Sequence, residues 1–241
     1  MVKLGTQNIS ALRLGGQEVK KAYLGETLVL GAEKKPSRLP EGYTEVEYVQ
    51  SDGASWFDLG VKPSSNTEID MVVETLEAGV STSTKYFVIS YLQQGSGTSV
   101  VRYYFDISWS ANGAGGRLGG YAGTTRTPAV AVNNNAPRKM SLNIFAKGKT
   151  FSEDGHSVSA GTNNTFPATT MPNIKILGNS TKNGLKANLY AFDRFDGSSL
   201  TLQNKLIPCI SPSGAVGLYD LVGAKFYGNA GTGVLSAGPV V

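Results

Sequence analysis

Residues 67–75 read TEIDMVVET, and the reading of these nine letters decides the fold. Ile69, Met71 and Val73 alternate with Glu68, Asp70 and Glu74. A strand has a side-chain period of two, so this order puts an apolar set on one face and an acidic set on the other. Such a strand belongs to a sheet with one face packed and one face wet. The rhythm continues on either side. YTEVEYVQ (43–50) precedes it; KYFVISYL (85–92), SVVRYYFDISW (99–109), KMSLNIFAKG (139–148), NIKILGN (173–179), LKANLYAFDRF (185–195) and KLIPCIS (205–211) follow. QQGSGT, SANGAGG, SEDGHS, STKNG and DGSS punctuate them with turn residues. Many short strands and no long helical pattern predict an all-β sandwich or barrel.

Charge is distributed unevenly. Seven of the 22 basic residues and three of the 18 acidic ones fall in residues 1–38, so that segment carries the whole net +4 and the remainder is balanced. No cluster of Lys and Arg with interleaved aromatics marks a nucleic-acid footprint in the larger part. A single cysteine, Cys209, excludes an intrachain disulfide and a Cys-based zinc site. A single histidine, His156, excludes a His-rich metal site, and its setting in SEDGHSV reads as an exposed turn. No metal and no cofactor is expected. No apolar run reaches the length of a bilayer span, and MVKLGTQNIS lacks the apolar core of a signal peptide. Folding in a cytoplasm, without classical export or membrane insertion, is the expectation.

The chain opens on a ten-residue repeat: LGTQNISALR (4–13), LGGQEVKKAY (14–23) and LGETLVLGAE (24–33). Glycines at turn spacing between short apolar runs predict a small β-meander over residues 1–30. GAEKKPSRLP (31–40) reads as a linker, and 41–241 as the main domain. Strands this short are marginal alone. The repeat is therefore expected to anchor or oligomerise the chain through Leu4, Ile9, Leu14, Val19, Tyr23 and Leu24.

Two stretches carry a resemblance. LPEGYTEVEYVQSDGASWFDLGVKPSSNTEIDM (39–71) and LIPCISPSGAVGLYDLVGAKFYGNAGTGVLSAGP (206–239) resemble the opening and closing segments of concanavalin A-like (laminin-G-like) domains, found in bacteriophage structural proteins and in surface proteins of gut bacteria. The matching residues are Trp56–Gly60, Ile207–Cys209, Gly217–Asp220, Lys225–Tyr227 and Asn229–Gly233; residues 75–190 match in rhythm only. The leading repeat resembles segments that precede adhesin-like domains in phage tail and other virion proteins. The resemblance implies a jelly-roll sandwich of two antiparallel sheets, each of about six or seven strands. In GLYDLVGAKFY a hairpin is expected with its turn at VGAK; in NAGTG, positive-φ residues closing the last turn.

EIDMVVE (68–74) also resembles the EIDxE or EIDxxE strand of retaining glucanases on this fold. A retaining mechanism holds two carboxyl groups about 5–5.5 Å apart. Glu68 and Glu74 share a face, but six residues at a rise of about 3.3 Å separate them by about 20 Å. Neither glucanase spacing is met, and no nucleophile elbow, phosphate loop or zinc motif occurs. The Gly-rich GAGGRLGG (113–120) reads as a surface loop. The chain is thus expected not to be an enzyme, with a glycoside hydrolase using Glu68 and Asp70 as the lesser alternative.

Binding remains. Three Gly-, Ser- and Asn-rich stretches, SYLQQGSGTS, SWSANGAGGRLGGYAGTTR and VNNNAPR, read as recognition loops. Tyr91, Trp109, Asn112, Arg117, Tyr121 and Asn134 are their candidate glycan contacts. The expectation for the whole chain is a bacteriophage virion surface protein: a fibre, a tail or baseplate adhesin, or a head decoration. Its lectin-like sandwich faces host-surface polysaccharide, and its repeat binds other virion proteins and joins copies, a trimer being favoured. The alternative is a structural capsid or tail component without ligand.

Overall fold

Strands account for all regular structure among the described residues. The computed structural model describes residues 37–76, 171–178 and 184–241 with their side chains. Elsewhere it describes the main chain of the strands between residues 2 and 30 and between 84 and 159, with side chains at 88–90 and 139–143. Two units divide between Ser37 and Arg38.

The first unit holds three separate hairpins. Strand β1 (Val2–Leu4) pairs with β2 (Gln7–Ile9), β3 (Arg13–Leu14) with β4 (Gln17–Glu18), and β5 (Ala22–Leu24) with β6 (Thr27–Leu30). The closing pairs are Leu4 with Gln7, Leu14 with Gln17 and Leu24 with Thr27. Each leucine of the repeat thus ends a strand. Two residues then intervene, the first always glycine, which is the order a two-residue hairpin turn demands. The turn residues lie outside the described residues; the short strands match the sequence reading. Their pairing is finer than one meander, because no strand pairs beyond its own hairpin among the described residues.

The second unit is a sandwich of two antiparallel sheets. Its chain order begins with β7 (Thr44–Glu45), β8 (Val49–Asp52), β9 (Phe57–Asp58), β10 (Glu68–Thr75), β11 (Thr84–Gln93) and β12 (Val100–Ser108). There follow β13 (Arg117–Gly123), β14 (Thr125–Arg126), β15 (Val130–Ala131), β16 (Arg138–Phe145), β17 (Thr150–Glu153) and β18 (His156–Ser159). The last are β19 (Lys175–Ile176), β20 (Lys186–Asp196), β21 (Thr201–Ile210), β22 (Val216–Asp220), β23 (Lys225–Tyr227) and β24 (Leu235–Ala237). The larger sheet runs β18-β17-β16-β10-β20-β21-β22-β23, with β7, β8 and β24 paired off that path. The smaller runs β14-β13-β12-β11-β19-β9, with β15 beside β13. The larger sheet counts eleven strands, more than the six or seven expected, because its edges are pieced from short segments.

The core forms where the alternation predicts. Ile69, Met71 and Val73 of β10 are at most 1 % exposed. They pack in one cluster with Met140, Leu142, Leu189, Phe192, Leu206 and Leu218 of the larger sheet and with Phe57, Val88 and Ile176 of the smaller. Burying a side chain such as Phe192 completely contributes about 1.5–3 kcal/mol. A bulge interrupts the β10–β20 register: Val72 faces Ala191 and Val73 faces Leu189, leaving Tyr190 as the extra residue of β20.

The two stretches that carry the resemblance meet in space. Strand β8 pairs with β24, and Val46 bridges to Val240. Asp52 fastens this clasp: Oδ1 accepts from the Ala54 and Ser55 amides at 2.8 and 2.9 Å, and Oδ2 from the Val234 amide at 2.7 Å. Burial works to raise the Asp52 carboxyl, but those main-chain bonds, with the Ser55 hydroxyl, hold it below its ordinary value. In NAGTG the glycines serve close approach and not positive φ, contrary to the sequence reading. A Cβ on Gly233 would stand 2.2 Å from Asp52 Oδ1, and one on Gly231 2.2 Å from the Ala54 carbonyl oxygen. The turn at VGAK is present between β22 and β23, with Ala224 at a φ of 48°.

Three further readings are corrected. Leu39, placed in the linker, is 8 % exposed and packs with Ile207, Cys209 and Tyr219, so the sandwich begins at Arg38. His156 starts strand β18 opposite Glu153; hairpin pairing of β17 with β18 draws it out of the turn. Arg117–Gly120 of the supposed surface loop lies in β13, where pairing with β12 on one side and β14 or β15 on the other overrides the glycines' preference for turns.

Candidate functional site

The outer face of the larger sheet holds an open groove of about 250 Å³. Its floor is made by Val72 with Ser141 on one neighbouring strand and Ala191 on the other, all three small side chains in one cross-strand row. The next row is Asn143, Asp70 and Asp193, side by side on β16, β10 and β20. Asn143 Nδ2 donates to Asp70 Oδ1 at 2.6 Å and to Glu68 Oε1 at 2.7 Å. Lys205 Nζ donates to Asp193 Oδ2 at 3.1 Å and extends the row onto β21. A low floor bounded by planar amide and carboxylate groups suits a small polyhydroxylated ligand, because such groups each meet two hydroxyls.

On the other side of the floor stands a polar and aromatic cluster. Glu74 Oε2 accepts from the Tyr190 hydroxyl at 2.7 Å and from Asn188 Nδ2 at 2.8 Å, and Gln50 Nε2 donates to Asn188 Oδ1 at 2.9 Å. The bonds from Tyr190 and Asn188, with Lys139 nearby, outweigh burial and hold the Glu74 carboxyl below its ordinary value. Burial and the Glu74 carboxylate push the Tyr190 hydroxyl up to about 12. Lys139 Nζ sits 3.3 Å from the Tyr190 ring centroid, and the Tyr48 ring lies 5.3 Å away at a tilt of 58°. The bulge explains this placement. Leu189 and Phe192 are fully buried, so Tyr190 and Ala191 both sit on the outer side of the strand.

The glucanase-like strand can now be tested by geometry. Because one amide nitrogen reaches both, the Glu68 and Asp70 oxygens lie no more than 5.3 Å apart, the sum of 2.7 and 2.6 Å. Two acceptors that share one amide nitrogen lie closer together than that bound, inside the spacing of a retaining pair. The roles do not follow, because the Asn143 amide already engages both groups as acceptors. Val72 and Val73 occupy the positions where the second glutamate of those enzymes falls. Strand β10 keeps an unbroken register against β16, so nothing shortens the distance from Glu68 to Glu74.

The residues singled out in the sequence fall elsewhere. Tyr91 lies in β11, and Arg117 and Tyr121 in β13, so all three are strand residues of the smaller sheet and not loop residues. Trp109, Asn112 and Asn134 lie outside the described residues, as does Val19. Leu4, Ile9, Leu14, Tyr23 and Leu24 belong to the hairpin strands of the first unit. Asp70, Asn143, Asp193, Tyr190 and Tyr48 went unselected as binding residues. Alternation puts Asp70 on the wet face, but nothing local says that Asn143 and Asp193 flank it.

No protein-family model matches the chain, and none of the curated proteins does either. Among solved structures the chain is similar to the CBM40 of the Ruminococcus gnavus IT-sialidase, bound to alpha2,6 sialyllactose. The identity is 12 % and the TM-score 0.40, over 68 % of this chain and 97 % of that one.

Proposed function

We propose that this chain is a non-enzymatic, lectin-like attachment protein displayed on a bacteriophage particle. The groove on the larger sheet takes a glycan of the host surface, and the N-terminal hairpins hold the protein to other virion proteins and join three copies. One observation carries the binding role: a floor of small side chains lies between the Asp70–Asn143–Asp193 row and the Tyr48–Tyr190 pair. Carboxylates and an amide grip neighbouring hydroxyls, while tyrosines offer rigid amphipathic surface at low entropic cost. The virion setting is supported by the resemblance of both end segments and of the leading repeat.

The test is a glycan array that includes host surface polysaccharide, read with the full chain and with Asp70→Ala and Asn143→Ala. Binding that falls tenfold or more in both variants supports the groove. Absence of binding across the array favours a ligand-free structural component instead. Light scattering on the chain with and without residues 1–37 reports the joining role: a trimer that becomes a monomer on deletion agrees, and an unchanged mass removes that role. The hydrolase alternative is favoured by the short Glu68–Asp70 interval alone. Release of reducing sugar from β-glucan that disappears in Glu68→Gln would restore it.

A further inference from the structure

The carboxylates on the outer face of the larger sheet are not matched alike. Glu74 lies across from Lys139 of β16, and the Lys139 ammonium, set over the Tyr190 ring, helps to hold its carboxyl low. Asp193 lies across from Lys205 of β21 and is bonded to it at 3.1 Å. Each of these two acids thus has an ammonium of the chain beside it. Glu68 and Asp70 have none among the described residues. Their bonds there come from Asn143 Nδ2, a neutral amide that reaches both.

Position makes this shortage matter. Asp70 and Asp193 are direct cross-strand partners, and like charges set opposite each other in a sheet destabilise it. Glu68 stands two residues before Asp70 on the same face, so three carboxylates share the row's neighbourhood with one ammonium, that of Lys205. Asp70 is exposed, and so are Ser141 and Ala191 of the adjoining floor, so the unmatched charge looks into the groove. Two of the lining residues are acids, and none is Lys or Arg. The acids do not converge as metal ligands: no group of three or more His, Cys, Asp or Glu able to hold an ion occurs among the described residues. At about 250 Å³ the groove is also small. Sites for drug-sized ligands run to about 300–1,000 Å³, so this one suits a single sugar residue with the rest of its chain outside.

We propose that the groove selects its sugar by charge, and that the ligand is a hexosamine residue whose amino group is free and protonated. The inference rests on the glycan-binding reading above and adds the chemical class of the sugar. An ammonium carries three donors and no acceptor. Placed against Asp70, it gives that carboxylate a charge-assisted bond and meets the field of Glu68 and Asp193 on either side. Asn143 has Nδ2 committed and offers Oδ1 to a neighbouring ring hydroxyl. An N-acetyl group removes the sugar's charge, and a uronic acid reverses it. The wall that attracts the first sugar is indifferent to the second and repels the third, which is how like charge enforces specificity.

The experiment is calorimetric titration of the full chain, in EDTA and at a pH where the amine is charged. Chitosan oligosaccharides are compared with cello-oligosaccharides, which share their linkage and differ at one ring carbon; oligogalacturonate is the acidic reference. Chitosan fragments should bind at least tenfold more tightly than cellulose fragments, and oligogalacturonate most weakly. In Asp70→Asn, which keeps size and an acceptor, the ratio between the first two should fall to near one. The melting temperature of that variant should hold or rise, because a like-charge pair is gone. Lys205→Met releases Asp193 and should widen the ratio. Equal affinity for charged and uncharged sugars, tighter binding of oligogalacturonate, or a preference that survives Asp70→Asn overturns charge selection. So does a preference that appears only when EDTA is replaced by calcium, which would assign the acids to a metal ion. No binding of chitosan, while a neutral glycan on the array binds and is lost in Asp70→Ala, overturns the amino sugar and leaves the groove intact. Failure of every sugar, here and on the array, sinks both readings together.

Discussion

One face of the larger sheet is treated in two ways. Around Asp70, Asn143 and Asp193 it lies open and polar, and forms the groove. Two strands further on, Ile207, Cys209 and Tyr219 occupy the same outer face, yet each is at most 8 % exposed. Leu39, Tyr43 and Phe226 pack over them, and Tyr43 stacks obliquely on Tyr219 at 4.8 Å between centroids. Arg38 pairs with Glu45 beside this cover. The difference is written in the strands themselves. EIDMVVE alternates, as a strand wet on one side must, whereas LIPCI (206–210) is apolar throughout, as a strand buried on both sides must be. An apolar run therefore announces a cover, and an alternating one announces a surface that something else is free to use.

The cover is the place to break this contrast. Leu39→Ala with Tyr43→Ala should cost about 4 kcal/mol in urea unfolding, since both transfer and cavity terms are lost over a buried patch. The same variant should unmask Cys209. Burial pushes its thiol up to about 12, so it should resist a thiol reagent in the native protein and react at least tenfold faster once uncovered. Equal rates in both proteins would mean that the cover does not shield it. A smaller effect is expected on the open half. Ala191→Leu fills the groove floor from an exposed position and should shift stability by no more than about 0.5 kcal/mol. Glycan affinity should nonetheless drop about tenfold, equivalent to about 1.4 kcal/mol; unchanged affinity would move the ligand elsewhere.

The smallest effects concern pH. The Glu74 carboxyl is depressed in the folded protein, so its contribution is present above the ordinary carboxylate value and is lost as pH falls through the lower folded one. The Tyr190 hydroxyl is raised, so its contribution is present below the ordinary value near 10 and is lost as pH rises through about 12. Melting temperature against pH should therefore flatten at the acid end in Glu74→Gln and at the alkaline end in Tyr190→Phe. Identical profiles for variants and wild type would remove the pair from the stability of the open face.

What the sequence could express was local. The period of β10 fixed both its buried and its wet residues, and the recurrent Leu-Gly step marked the leucine that closes each of three described hairpins. Even the bulge left a trace, because Leu189 and Phe192 stand three residues apart where a regular strand spaces core positions by two. What was missed depends on partners distant along the chain. A lone Leu39 between Arg38 and Pro40 has no period to mark it as core. Asp70 faces residues 73 positions ahead on one side and 123 on the other, a register that no local pattern encodes. Glycine misleads in the opposite direction: RLGGYAG (117–123) reads as a loop, because its strand character comes from pairing with neighbouring strands and not from its own side chains.

The clasp between β8 and β24 has a consequence for how the protein is made. Asp52 waits for the Val234 amide, 182 residues later, and Val49 for Ala237. A ribosome must release nearly the whole sandwich before this seam can close, so β8, although β20 reaches one of its edges earlier, keeps the other edge unmated until the end. Long-range pairing of this kind folds slowly and leaves edges exposed meanwhile. The clasp should thus act as the last event of maturation, and a shortened message that stops before residue 234 should yield aggregate instead of a smaller, serviceable domain.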